Sequence, residues 1–190
     1  MNVEPNMQPP DAQLLAEALA GSEGSFTALY RRRQGNVYRF VLHMTGDVII
    51  AEDVTQEVFL ALLAKAFRYD ADRGSVAGLL LGVARNLVLR RLEKDGFRPQ
   101  ESELEDAAGN EDLLEDLTRR ETIEQVRRAV LSLPPMYREV VALCDLQEVD
   151  YEDAVVALEC PLGTVRSRLA RGRGLLAQKL EGVRVSACGV

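Results

Sequence analysis

The sequence predicts an all-α protein made of two small helical domains joined by a flexible acidic linker, the second domain carrying a helix-turn-helix. Three observations carry this expectation. Apolar residues recur at helical spacing along most of the 190 residues, with no strand signal and no internal repeat. Between residues 99 and 118 stand eight acids, Glu101, Glu103, Glu105, Asp106, Glu111, Asp112, Glu115 and Asp116, and no base. The stretch "GTVRSRLARGRGLLAQKL", residues 163–180, places four arginines within eight residues of a chain whose formal net charge is −7.

The elements follow in order. Asp11 is expected to cap a short helix, "AQLLAEALA", that Gly21 ends. A second helix is expected over 25–45, with Phe26, Leu29, Tyr30, Val37, Phe40, Val41 and Met44 on its apolar face. The "RRR" at 31–33 is read as a solvated face, and His43 as a helix-face residue. Asp47 caps a third helix, "VIIAEDVTQEVFLALLAKAF", that turns Val54, Val58, Phe59, Leu62 and Leu63 inward. After the polar loop "RYDADRGS", Ser75 caps a fourth, "VAGLLLGVARNLVLRRLEK". Gly78 and Gly82 stand one turn apart on the face that also carries Arg85. Glycine costs a helix about 1 kcal/mol relative to alanine, so this face is expected to pack closely against a partner. These four helices define a first domain over 11–96.

Within the linker, 97–118, the segment 99–118 accounts for the acidity of the chain, since removing its eight negative charges from −7 leaves +1. A second domain is expected over 119–182. "TIEQVRRAVLSL" is amphipathic, Pro134 and Pro135 open a helix where a first turn tolerates proline, and Asp150 caps "YEDAVVALE". "CPLG" is a turn, after which Thr164 is read as the N-cap of the arginine-rich helix. On that helix Val165, Leu169, Leu176 and Leu180 fall on one docking face. Arg166 and Arg173 flank it on one side and Arg168 and Arg171 on the other, with Ser167, Ala170 and Gly174 outward. Small outward residues between basic flanks let a helix enter a DNA groove, the arrangement of a helix-turn-helix reader.

Other classes are disfavoured. No run of about 18 apolar residues spans a bilayer, and "MNVEPNMQPPDAQ" lacks the regions of a signal peptide, so a cytoplasmic protein without membrane contact is expected. Cys144, Cys160 and Cys188 are read as reduced thiols, Cys144 as core, and with one histidine they cannot complete a usual zinc site. No nucleophile with its base, phosphate loop or metal cluster is evident. The expectation is a protein that is not an enzyme and uses no cofactor and no metal.

"LPPMYREVVALCDLQEVDYEDAVVALECPLGTVRSRLARGRGLL" resembles region four of the extracytoplasmic-function (ECF) sigma factors. Leu133, Pro134, Arg138, Tyr151, Pro161, Gly163, Thr164, Val165, Ser167, Arg168, Leu169, Arg171 and Arg173 carry the likeness. "AEDVTQEVFLALL" and "GVARNLVLRRL" resemble region two of the same family, through Ala51, Glu52, Asp53, Gln56, Glu57 and Phe59, then Ala84, Arg85 and Asn86. The resemblance implies a promoter-specificity subunit that directs bacterial RNA polymerase to a dedicated promoter set. It implies as partners the β′ clamp helices and β flap of core polymerase, promoter DNA, and an anti-sigma factor of the kind that restrains many relatives. It implies that Asp53, Gln56 and Glu57 bind polymerase. Tyr69, Arg73, Arg85, Asn86, Arg90 and Arg91 would then serve the melted minus-10 element, and Thr164, Arg166, Ser167, Arg168, Arg171 and Arg173 the minus-35 duplex.

The sequence departs from the family pattern at three places. Leu79 replaces a tryptophan, "DAV" at 153–155 replaces E-I-A, and Glu159 replaces a turn glycine, where a positive φ is expected. The residues read without the resemblance leave a second function open, a helix-turn-helix regulator that binds an operator without touching polymerase.

Overall fold

The computed structural model describes residues 9–64, 69–95 and 113–187. Eight α-helices and a single 3-10 turn make up the described chain: α1 (Asp11–Leu19), α2 (Glu23–Thr45), α3 (Val48–Leu63), the 3-10 turn (Ala71–Arg73), α4 (Val76–Asp95), α5 (Leu113–Leu131), α6 (Pro135–Cys144), α7 (Tyr151–Leu158) and α8 (Leu162–Ala187). Residues 97–112, most of the expected acidic linker, lie outside the described residues, as do 65–67 at the end of the expected third helix. Helix α5 begins at Leu113, so the last six residues of the expected linker are helical.

Local chemistry sets most of the boundaries. Asp47 accepts from the Ile50 amide at 3.0 Å, Ser75 from the Gly78 amide at 3.0 Å and Asp150 from the Asp153 amide at 2.8 Å, each satisfying a donor that the first helical turn leaves free. Helix α2 starts two residues earlier than expected because Ser22 caps it. It ends at Gly46, whose φ of 74° returns its amide to the Leu42 carbonyl at 2.8 Å.

Two expected caps are corrected. Asp11 is the first residue of α1 and not its cap: Pro10 precedes the helix, and the Asp11 carboxylate turns to Arg32, at 2.7 Å, and Arg33. Thr164 is the third residue of α8, which begins at Leu162, and the Pro161 carbonyl receives the Thr164 and Val165 amides at 2.8 and 3.1 Å.

Helices α1–α4 pack around α2, whose Phe26 and Tyr30 meet Phe59 of α3 edge-on. Helices α5–α8 pack around α6 and α8. The close approach of α8 to α6 depends on Gly172, where a Cβ would lie 2.8 Å from Cγ2 of Val141. The two bundles also pack on each other, through α4 on α7 and α2 on α5 and α6, so that one continuous apolar core runs from Leu14 to Leu169. At the C-terminal end of α2, where carbonyls lack intrahelical partners, Arg138 donates to Met44 O at 2.6 Å and Arg127 to Gly46 O at 2.5 Å.

Candidate functional site

Three faces carry the residues singled out by the sequence. The first is the outer side of α3. Its inward positions Ala51, Val54, Thr55, Val58, Phe59 and Leu62 are buried, which leaves Asp53, Gln56 and Glu57 exposed. The same face displays Ile49 at 71% exposure, Leu60 at 64% and Leu63 at 45%. Sequence reasoning missed this apolar component and placed Leu63 inside; the helix ends there, with Ala64 as its C-cap, and leaves Leu63 at the rim. A stripe of large apolar side chains beside acids suits a protein interface, not a solvated helix.

The second face is formed by α4 and the segment before it. Arg73 and Arg90 are exposed, while Tyr69, Arg85, Asn86 and Arg91 are half-buried. Arg91 reaches Glu57 of α3 at 2.8 Å, which joins the first two faces. Tyr69, Arg73, Leu79 and Asn86 line a cleft of about 660 Å³ whose opposite wall is Val155, Val156, Glu159, Cys160 and Pro161 of the second bundle. Leu79, in place of the family's tryptophan, is thus a wall of that cleft. The Arg85 guanidinium is turned onto the second bundle in this arrangement. Its Nε donates to Glu139 Oε2 at 2.6 Å and its Nη2 to Glu139 Oε1 at 3.3 Å.

The third face is the helix-turn-helix, α7 and α8. Glu159 has φ 50° and ψ 41°, the left-handed conformation expected where relatives place glycine, and it turns the chain from α7 to α8. Val165 and Leu169 are buried, and Leu176 and Leu180 half-buried, as the docking stripe required. Arg166, Ser167, Arg171 and Arg173 are exposed and Thr164 half-exposed. Arg166 lies over the Tyr151 ring, 5.7 Å from its centroid, which orients the guanidinium. Arg173 grips Asp145 with Nη2 at 2.6 Å and Nε at 3.0 Å, and that bond holds its pKa above the ordinary arginine value. Arg168 donates to Glu139 Oε1 at 3.3 Å, so one buried carboxylate serves an arginine from each bundle. Glu139 was not singled out by the sequence: its partners lie 54 residues before and 29 after it, beyond any local pattern.

Among the described residues, no group of three or more His, Cys, Asp or Glu could hold a metal, and no helix is long and apolar enough to cross a membrane. Cys144 and Cys160 are free thiols. Cys144 is half-buried and not fully in the core; burial and the neighbouring Asp145 push its thiol up to about 11, so it stays protonated at neutral pH.

The described residues thus combine a helix-turn-helix with an arginine-bearing second helix, a further arginine-bearing helix, α4, and an exposed acidic and apolar face on α3. Known proteins give this combination its family. Sigma-70 region 2 matches residues 29–98 and Sigma-70, region 4 matches residues 123–176. The ECF RNA polymerase sigma factor SigC of Mycobacterium tuberculosis is 33% identical over 177 residues, 90% of this chain and 93% of the relative. The ECF RNA polymerase sigma-E factor of Escherichia coli is 31% identical, over 90% of this chain and 94% of that protein. The fold is shared with CnrH, solved in complex with the cytosolic domain of CnrY, at a TM-score of 0.70, 21% identity and coverage of 90% of this chain and 97% of that one. It is also shared with RpoE of Bartonella quintana, solved with the anti-sigma factor NepR, at a TM-score of 0.60, 22% identity and coverage of 78% and 91%. The chain belongs to the ECF family of RNA polymerase sigma factors, the promoter-specificity subunits that direct polymerase in transcription initiation. Sigma factors are non-enzymatic regulatory subunits.

Proposed function

We propose that this sigma factor divides its work among the three faces. The α3 face, with Asp53, Gln56 and Glu57 flanked by Ile49 and Leu60, docks on the β′ clamp helices of core polymerase. The α4 face, with Tyr69, Arg73, Arg85, Asn86, Arg90 and Arg91, captures the melted minus-10 strand. Single-strand capture needs an aromatic platform and cations along a backbone, and Tyr69 with Arg73 beside the cleft supplies both. The α8 face, with Thr164, Arg166, Ser167, Arg168, Arg171 and Arg173, reads the minus-35 duplex, with region four also meeting the β flap. The chain works by binding and not by catalysis, in the cytoplasm, and an anti-sigma factor is the expected restraint.

The observation that supports this division is the mixed acidic and apolar face of α3, exposed and lying outside both arginine-bearing helices. A helix-turn-helix regulator that ignores polymerase is not favoured, because it has no use for such a face and the matched residues 29–98 lie outside the helix-turn-helix. Replacing Asp53, Gln56 and Glu57 by alanine, together with Leu60→Asp, should weaken core binding by tenfold or more, about 1.4 kcal/mol, since a few central residues carry most interface energy. Unchanged core affinity in a folded variant would remove α3 from the interface.

A further inference from the structure

Helix α5 carries an apolar stripe that the rest of the molecule covers only in part. Ile123, Val126 and Val130 follow one another at spacings of three and four residues and so share one side of the helix. Val130 is buried, Val126 is half-buried and Ile123 is 50% exposed. Leu42 of α2 and Leu146, just after α6, form the facing wall of a groove of about 310 Å³, closed at Val130 and open at Ile123. That volume falls within the range of small-molecule sites, and the lining is mostly apolar with a few polar groups, as such sites require.

The polar groups of the groove are of one sign. His43 and Arg127 line it, and no carboxylate is among its described lining residues. Burial, and then the charges of Arg39 and Arg127, hold the His43 imidazole below its ordinary pKa, so it is neutral at pH 7 and the positive potential around it comes from the arginines. The Arg127 side chain is 11% exposed. Its Nη2 donates to Gly46 O at 2.5 Å, while its Nη1 lies at a long 3.4 Å from Glu124 Oε2. Glu124 also accepts from Arg128 Nε at 3.1 Å, so it keeps a cation when Arg127 turns its Nη1 edge to a ligand. A guanidinium presents five donors in a fixed fork, and a carboxylate is an acceptor that matches the fork.

We propose that this groove binds an unesterified aliphatic monocarboxylate, with the chain laid along Ile123, Val126 and Val130 and the carboxylate on Arg127. A methylene displaces nearly the volume of a water molecule, ~30 Å³, so the groove holds a chain of about ten carbons. The arginine decides against a purely apolar occupant, which would desolvate the guanidinium further without adding an acceptor. None of the lining residues belongs to the three faces assigned to polymerase and promoter, so the site stands whether or not those assignments do.

Isothermal titration calorimetry on the full chain, with sodium carboxylates kept below micelle formation, tests the proposal. Binding should saturate at one ligand per chain and tighten about fourfold per methylene from hexanoate to decanoate. Dodecanoate should gain nothing further, because its last carbons stay in water. 1-Octanol, which has the chain of octanoate without its charge, should bind about tenfold more weakly or worse. Val126→Trp fills the groove and should abolish binding, and Arg127→Gln should bring octanoate down to the level of the alcohol. Circular dichroism identifies which variants are folded, and the comparison of octanoate with 1-octanol needs only wild-type protein. Absence of saturable decanoate binding to wild type, equal affinity for octanoate and 1-octanol, or undiminished binding by a folded Val126→Trp would each overturn the proposal. If wild type does not bind decanoate, and Val126→Trp instead abolishes self-association or core-polymerase binding, the groove belongs to a second copy or to polymerase.

Discussion

Arg168 shows how one residue's environment divides roles among similar side chains. It is held by Glu139 near the N-terminal half of α8, where a reader helix enters a groove most deeply, while Arg171 is exposed a turn further on. In the assembled holoenzyme, Arg168→Ala should cost about 1 to 3 kcal/mol on the preferred minus-35 sequence and flatten discrimination at one position. Arg171→Ala should weaken all sequences alike and reduce the salt slope by about one. Binding across a set of minus-35 variants at several salt concentrations separates the two, and identical losses would contradict the division. Residue-level electrostatics also predict a pH response. His43 sits in the last turn of α2, where burial first, and then the charges of Arg39 and Arg127, hold its pKa below 6.5. The unfolded chain therefore binds a proton at higher pH than the folded one, and stability from His43 is complete above about 6.5 and lost as pH falls below it. Thermal unfolding between pH 5 and 7.5 should show a midpoint that drops with acid in wild type and drops less in His43→Gln; parallel curves would exclude His43 as the source.

Turns and close approaches set the geometry of the elements. Glu159 occupies a left-handed conformation that costs a residue with a Cβ, so Glu159→Gly should stabilise the protein by about 0.5 to 1 kcal/mol in denaturant unfolding. Gly172→Ala should destabilise it, because the added Cβ meets Val141 across the α6–α8 contact. A neutral result at Gly172 would mean that α8 can shift on α6 without cost. Boundaries were legible at three side-chain caps, where Asp47, Ser75 and Asp150 each announce their element through an oxygen placed before an apolar period, but not at Ser22, which opens α2 two residues before its expected start. The same rule failed at Asp11, because two arginines from α2 outcompete the helix amides for its carboxylate, and at Thr164, because the Pro161 carbonyl opens α8 two residues earlier. Gly78 and Gly82 were legible as a seam in want of a partner. Which helix fills it depends on contacts across some 80 positions, such as Ser75 with Asp153, that no local spacing encodes.

At the scale of the whole molecule, the chain joins the exposed acidic and apolar face of α3, an arginine-bearing helix beside a cleft of about 660 Å³ and an arginine-bearing helix-turn-helix, with the two bundles packed on each other. The family and its helical architecture were legible because region-two and region-four motifs occur in order; the Arg85–Glu139–Arg168 bridge was not, because its members come from three helices distant in sequence. The central claim is that these parts make core polymerase promoter-specific. In vitro transcription with core polymerase on genomic DNA fragments, followed by mapping of transcript starts, tests it most directly. The account predicts discrete transcripts that appear only when the chain is added and that share sequence elements about 10 and 35 base pairs upstream. Transcripts that are the same with and without the chain, in reactions where it binds core polymerase, would contradict it.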